Sequence, residues 1–356
     1  MGSEIALKVN DLSWQYGGAL SSFQIRSLSL ELFEQECLVL LGSSGCGKTT
    51  ILKLIAGLLS PLSGQIQLSG TDIAHVAPER RGIGMIFQQP LLFPHMTVAE
   101  NVAFPLKMQG MGRKQRQQSA REWLAQVGLV DYEERMPHSL SGGQQQRVSL
   151  ARAFSQQPKL MLLDEPFSAL DPISRAEMRE LFRGIRKKHK IPTIFVTHDR
   201  EEAFELSDRI AVIADGRIEQ LGKPHELYDR PNSLYIARLL GIANIFQCKN
   251  SSGWFELPVS WQQSIPPIQG DRLLLRPEWI TLKPWQDSSM LEQVEPKVKG
   301  RIIDLKHRPG LMHGTVKLSE SPLEIEITYN PSQSFHVGDE VAIHVDPRGW
   351  RFISTE

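Results

Sequence analysis

Short, unbroken apolar runs alternate with longer amphipathic stretches over the first 235 residues. Cys37-Leu38-Val39-Leu40-Leu41 is one such run. It ends at a glycine-rich loop, and Thr49 to Leu59 follows with apolar residues at helical spacing, which predicts a strand, loop and helix in that order. Leu160 to Leu163 and Thr193 to Val196 are further runs of the length and apolarity expected of buried parallel strands, and the charged, amphipathic stretch Arg175 to Lys190 between them predicts a helix. The sum is an α/β core on a mostly parallel sheet. From Leu91 to Pro137 the rhythm differs: polar stretches such as Gly112 to Glu122 surround apolar residues at helical spacing, which predicts a helical insert on the core, placed at about residues 89–155.

After about Gly241 the helical signal fades. Alternating segments take over at Arg272–Leu275, Val298–Leu305, Thr315–Leu318, Leu323–Thr328, Glu340–Val345 and Trp350–Ile353, separated by Pro, Gly, Asn and Ser, the signature of a small all-β barrel or sandwich. Trp254, Trp261, Trp279, Trp285 and Trp350 fall in this region and are expected in its core or at its rim. The chain is thus expected to divide into an α/β domain over 1–235, a linker over 236–245 and an all-β domain over 246–356.

Composition narrows the partners. A length of 356 residues suits two domains, and 41% hydrophobic with 22% charged residues is ordinary for a globular chain. Forty basic residues balance forty acidic ones, whereas a protein built around nucleic acid carries a basic excess, so no nucleic-acid partner is expected. Three scattered cysteines, Cys37, Cys46 and Cys248, suggest reduced thiols, with neither a disulfide framework nor a zinc site. The start MGSEIALKVN lacks the basic and apolar regions of a signal peptide, and Ala6 stands where a myristoylation signal needs Ser or Thr. No stretch approaches the roughly 20 apolar residues that span a bilayer, so any membrane role is expected to come through docking to another chain.

Two motifs carry candidate chemistry. Gly42-Ser43-Ser44-Gly45-Cys46-Gly47-Lys48-Thr49 fits G-x-x-x-x-G-K-[ST], and its place between a predicted strand and a predicted helix is the context that identifies a P-loop. Its glycines let backbone N–H groups face a phosphate, and the following helix points its positive end at the same anion. Lys48 is expected on the β- and γ-phosphates of ATP and the Thr49 hydroxyl on Mg²⁺, with Thr50 beside it. Leu160-Met161-Leu162-Leu163-Asp164-Glu165 is an apolar strand ending in two acids. Carboxylates there are costly to bury unless they bind something. Asp164 fits a metal-associated acid and Glu165 a general base for the attacking water; the alternative is an acidic N-cap.

Leu140-Ser141-Gly142-Gly143-Gln144 lies between these motifs and resembles the signature sequence of ABC ATPases. Gln88, after Gly84-Met85-Ile86-Phe87, is similar to the family's Q-loop glutamine, which helps hold metal and water. Ser168-Ala169-Leu170-Asp171 resembles the D-loop that communicates across the dimer, and His198, in Val196-Thr197-His198-Asp199, resembles the switch histidine at the γ-phosphate. Tyr16 resembles the aromatic on which adenine stacks, with Trp14 as competitor. The resemblance covers about the first 235 residues. It implies an ATPase working as a head-to-tail homodimer, in which Ser141, Gly142, Gly143 and Gln144 of one copy close on the γ-phosphate held by the other. Cys46, if accessible, would make the protein sensitive to thiol alkylation and protectable by ATP.

The β region resembles the oligomer-binding-type (TOBE) extension of importer subunits serving ferric iron, polyamines, sulfate, molybdate and sugars, with Leu274-Leu275-Arg276-Pro277-Glu278 as its most similar element. That group implies transmembrane permease subunits as partners, a substrate-binding protein acting indirectly, and a peripheral position on the cytoplasmic face of the inner membrane. Of Leu91, Leu92, Phe93, Pro94 and Met96, some are expected to line the groove that receives the permease. Ferric iron is the favoured cargo, from Thr197 to Ala203 and Leu274 to Glu278, with polyamine, sulfate, molybdate or sugar as alternatives. A soluble ABC ATPase uncoupled from transport is the alternative of another class; long coiled-coil inserts or a second cassette would mark it, and neither occurs.

Overall fold

The computed structural model describes residues 4–16, 23–247, 257–262, 265, 270–285, 298–308 and 310–353, so Trp254 and Cys248 lie outside the described residues. The chain divides into two compact units, Met1–Leu227 and Tyr228–Glu356.

The first unit is built on a six-stranded sheet in the order Arg217–Gly222, Arg209–Ala214, Cys37–Leu41, Thr193–Thr197, Leu160–Asp164, Ile83–Ile86. All neighbours are parallel except the first pair, which is a hairpin. The three runs Cys37–Leu41, Leu160–Asp164 and Thr193–Thr197 are buried at every position, which is why they read as continuous apolar segments and not as alternating ones. A second, antiparallel sheet of Gln24–Phe33, Ile5–Gln15, Ser63–Leu68 and Thr71–Asp72 shares one apolar core with the first and with the helix Lys48–Ala56. The sequence pattern did not foretell this sheet. Register shifts between Val9 and Leu12, with Asp11 at φ 48°, break the alternation of Ile5–Gln15 that would have marked it as a strand.

The expected insert forms three helices, Val98–Met108, Arg113–Gln126 and Gly142–Ser155. A capping box of Thr97 and Glu100 starts the first, and the buried amide of Asn101 braces the loop before it through Phe93 N–H and the carbonyls of Phe93, Met96 and Thr97. The helix expected over 175–190 runs Pro172–His189, started by the Asp171 carboxylate, which accepts from Ile173 N and Ser174 N.

The second unit is an all-antiparallel β unit: a three-stranded sheet, Asn244–Gln247, Arg272–Leu275, Trp350–Ile353, and a five-stranded one, Ile280–Pro284, Glu340–Val345, Val298–Arg308, Leu311–Leu318, Glu324–Tyr329. Trp261 and Trp350 are core residues in T-shaped contact, while Trp279 and Trp285 are half-buried. The stretch 236–245, expected as a linker, holds most of the helix Leu234–Leu239, capped by Ser233, and the start of strand Asn244–Gln247.

Candidate nucleotide site

Parallel strands end on one side of a sheet, and ligands of open α/β sheets bind beyond those carboxyl ends. Four adjacent strands carry the candidate residues there. Lys48 and Thr49 follow Cys37–Leu41, His198 follows Thr193–Thr197, Asp164 and Glu165 close Leu160–Asp164, and Gln88 follows Ile83–Ile86. Residues scattered from 48 to 198 in sequence are therefore neighbours along one sheet edge.

The loop Gly42–Thr49 wraps the start of the helix Lys48–Ala56. Ser43, Ser44 and Gly45 are exposed, whereas Lys48 is buried, its Nζ donating to the carbonyls of Gly42 (2.8 Å) and Ser43 (2.9 Å). Glycine is obligatory at two points: a Cβ on Gly42 would meet the Ile213 carbonyl at 2.4 Å, and Gly47, at φ 111°, would drive one into the Phe23 ring at 2.7 Å. The Cys46 side chain is 6% exposed, and burial raises its thiol pKa against the opposing pull of Lys48. The condition for facile alkylation is not met.

Thr49 Oγ1 donates to Asp164 Oδ1 at 2.9 Å. Burial pushes the Asp164 carboxyl up, with the Thr49 hydrogen bond pulling the other way. A hydroxyl and a carboxylate side by side are hard oxygen donors, the set that suits Mg²⁺. The next residue, Glu165, turns away in the left-handed region at φ 45°, a conformation that costs a non-glycine residue about 1–2 kcal/mol. Its N–H donates to Val196 O, its carbonyl accepts from the Ser168 hydroxyl, and its Oε2 lies 3.0 Å from His198 Nδ1. The two acids thus face different partners.

Gln88 is exposed. Ser141 caps the helix Gly142–Ser155 in a reciprocal box: Gln144 N donates to Ser141 Oγ (3.3 Å) and Ser141 N to Gln144 Oε1 (3.0 Å), while Gln144 Nε2 reaches Tyr132 OH. A Cβ on exposed Gly142 would meet nothing within 4 Å, so the backbone N–H groups at this helix start are open to approach. Asp171 uses its carboxylate as a helix cap. Tyr16 is 68% exposed, in T-shaped contact with Trp14, which packs against the core; of the two rings, Tyr16 is the free one.

The family described as ABC transporter matches residues 25–168. A spermidine/putrescine import ATP-binding protein, PotA, of Marinobacter nauticus is 36% identical over 98% of this chain and 94% of its own length. The chain belongs to the ATP-binding subunits of ABC importers. A ferric-ion import ATP-binding protein, FbpC, of Escherichia coli O157:H7 is 42% identical over 74% of this chain and 76% of its own. Among solved structures, an ATP-binding cassette dimer in a post-hydrolysis state with ADP and Pi aligns at TM-score 0.56 and 30% identity, covering 61% of this chain and 98% of that one. This importer subunit is accordingly an ATP-binding ATPase of the P-loop fold.

Motif reading of the subunit missed Arg175. Its guanidinium donates to the carbonyls of Ser168 (3.4 Å) and Leu170 (3.1 Å) and pairs with Asp199 at 3.5 Å, joining the loop before Asp171 to the residue after His198. Nothing in a lone helical arginine signals this; only the fold brings the two loops together. Beside Gln88, a groove of about 290 Å³ is lined by Phe87, Leu91, Phe93, Phe104, Pro105 and Arg152 among others. Leu91, Leu92, Phe93, Pro94 and Met96, some of which are expected to line a groove for a permease, divide here: Leu91 and Phe93 line this groove, and the other three are not among its lining residues.

Proposed function

We propose that two copies of this subunit bind two ATP molecules head to tail and hydrolyse them to drive import. The carrying observation is the row of Lys48, Thr49, His198, Asp164, Glu165 and Gln88 along four adjacent strand ends. Lys48 exchanges the carbonyls of Gly42 and Ser43 for phosphate oxygens, and the N–H groups of residues 43–50 cradle the rest. Thr49 and Asp164, with Gln88, would hold Mg²⁺, which would supply positive charge to offset the phosphates. Glu165 orients water for in-line attack and accepts its proton, while His198, 3.0 Å away, holds that carboxylate and reaches the γ-phosphate. Tyr16 stacks on adenine. Ser141, Gly142, Gly143 and Gln144 of the other copy close over the γ-phosphate, and Asp171 lies at the same dimer seam. Loss of the phosphate removes that contact and opens the dimer.

The groove beside Gln88 receives a helix of a transmembrane permease, which puts the protein on the cytoplasmic face of the membrane; no helix among the described residues is long and apolar enough to cross it. A substrate-binding protein acts beyond the permease. The cargo proposed is a polyamine in preference to ferric iron, because the match spanning both chains is to a polyamine subunit, while the iron relative aligns over three quarters.

Replacing Glu165 by Gln tests the central claim. Turnover should fall by about 100-fold or more, and ATP should convert the monomer to a stable dimer on gel filtration. Unchanged turnover with no dimer overturns it. Uptake of labelled spermidine against ferric iron, with the cognate permease, decides the cargo.

A further inference from the structure

The helix Arg200–Leu206 begins just after His198, and its cap departs from the usual one. Asp199 is the N-cap, its Oδ1 accepting from Glu201 N (2.7 Å) and Glu202 N (3.3 Å). Glu202 stands three residues on, where an ordinary capping box would bring its carboxylate back to the Asp199 N–H. Here the Thr197 hydroxyl is interposed. Asp199 N donates to Thr197 Oγ1 at 2.9 Å, and Thr197 Oγ1 donates to Glu202 Oε2 at 2.6 Å. A hydroxyl has one proton, and with the Asp199 N–H on an acceptor side that proton is aimed at the carboxylate. The ring of bonds closes over the residue in between, His198, both of whose neighbours belong to it. Thr197 is also the last residue of the buried strand Thr193–Thr197, which anchors the ring in the sheet. Glu202 is 3% exposed, whereas His198 is exposed and reaches Glu165 Oε2 at 3.0 Å. A solvent-facing box would cap this helix without the cost of burying a carboxyl. Burial pushes the Glu202 carboxyl up, against the Thr197 hydrogen bond; Asp199 raises it further, and Arg175 and Arg179 pull it down.

We propose that Glu202 is a positioning residue: through the Thr197 hydroxyl it fixes the backbone on both sides of His198 and so keeps the imidazole on Glu165. This rests on the nucleotide reading above, in which His198 holds Glu165 and reaches the γ-phosphate. An exposed imidazole has little packing of its own to orient it, so its backbone has to be preset. A misplacement of about 1 Å in a reacting site is enough to cost about 100-fold in rate, so even partial loosening is readable in kcat.

The test is steady-state ATPase of the full chain. Thr197→Val keeps the side-chain shape but removes both bonds of the ring; kcat should fall about tenfold, with KM for ATP within about twofold of the parent. Glu202→Leu should do the same, and carries the test alone if Thr197→Val does not fold. Thr197→Ser keeps the hydroxyl and Glu202→Gln keeps an accepting oxygen, so both should stay within about threefold of the parent. The decisive readout is a cycle with His198→Ala. Once the imidazole is gone, breaking the ring should lower kcat by less than about twofold more. A tenfold fall in both backgrounds overturns the proposal and leaves the ring as a helix cap. Parental kcat in Thr197→Val overturns it too, as does a loss in Glu202→Gln equal to that in Glu202→Leu. If the nucleotide reading itself is at fault, Glu165→Gln and His198→Ala alone turn over ATP as the parent does, and the proposal falls with it. A slow His198→Ala beside a normal Thr197→Val sinks the proposal alone.

Discussion

Lys48 and Asp164 in the first unit and Arg276 in the second are buried charged side chains, and they differ in what satisfies them. At the strand ends of the first unit, Lys48 rests on two loop carbonyls, and Asp164 has the Thr49 hydroxyl while burial pushes its carboxyl up. At the Arg-Pro-Glu corner of the second unit, Arg276 is 5% exposed, pairs with Asp229 at 2.9 Å, donates to Tyr228 O and lies 4.2 Å from the Tyr228 ring centre. Glu278 accepts from Tyr228 OH at 2.6 Å. The first set is left with weak, replaceable partners, whereas the second is held by its own unit through Nη1 and Nη2, its Nε making no hydrogen bond among the described residues. A charge waiting for a ligand and a charge acting as a clasp are equally buried; the partner chemistry separates them.

The comparison breaks most readily at Lys48. Lys48→Ala removes a phosphate ligand and no clasp, so kcat/KM for ATP should fall about 100-fold or more while the melting temperature moves little. A large loss of stability would make Lys48 a structural residue like Arg276. The converse is Arg276→Leu. Losing its paired and ring contacts should cost the second unit about 2–3 kcal/mol, at the lower end for a broken buried pair because Asp229 is half exposed. Hydrogen exchange over 272–284 reads that loss, and ATP turnover should stay within about twofold.

How much of this was legible beforehand follows the same division. The strand Cys37–Leu41 and the loop after it were readable because a fully buried strand and a phosphate loop each impose a local pattern. So were Arg272–Leu275, Glu340–Val345 and Trp350–Ile353, whose strands fall on the segments marked out in the sequence. The sheet containing Ile5–Gln15 was not, because its bulges erase period two. The helix Leu234–Leu239 hid in a stretch too short to show a period. The roles of Arg175 and Arg276 were illegible because each depends on carbonyls far along the chain or around a corner, which no spacing rule records.

Arg175 is intermediate between the two cases: it is a clasp, but one placed among the strand-end loops. Arg175→Ala should lower kcat about tenfold by loosening the Ser168–Leu170 carbonyls from Asp199, with ATP affinity preserved. Equal losses in affinity and turnover would mean the loop acts on ground-state binding instead.

The smallest expected effect is at Cys46, and it tests whether a residue inside a binding loop is itself open to reagents. Its position in the P-loop suggests a thiol that alkylation would poison. Its surroundings say otherwise: 6% exposure, desolvation that raises its pKa, and a sulfur 2.8 Å from where a Cβ on Gly42 would lie. The thiolate is the reactive form, and burial suppresses both its population and its access. Alkylation at pH 8 in a Cys248→Ser background, followed by mass spectrometry of the peptide containing Cys46, should run about tenfold or more slower than with glutathione, and ATP should add little protection. A rate matching glutathione, abolished by ATP, would mean that the loop opens in solution and that Cys46 belongs with the replaceable contacts, not with the core.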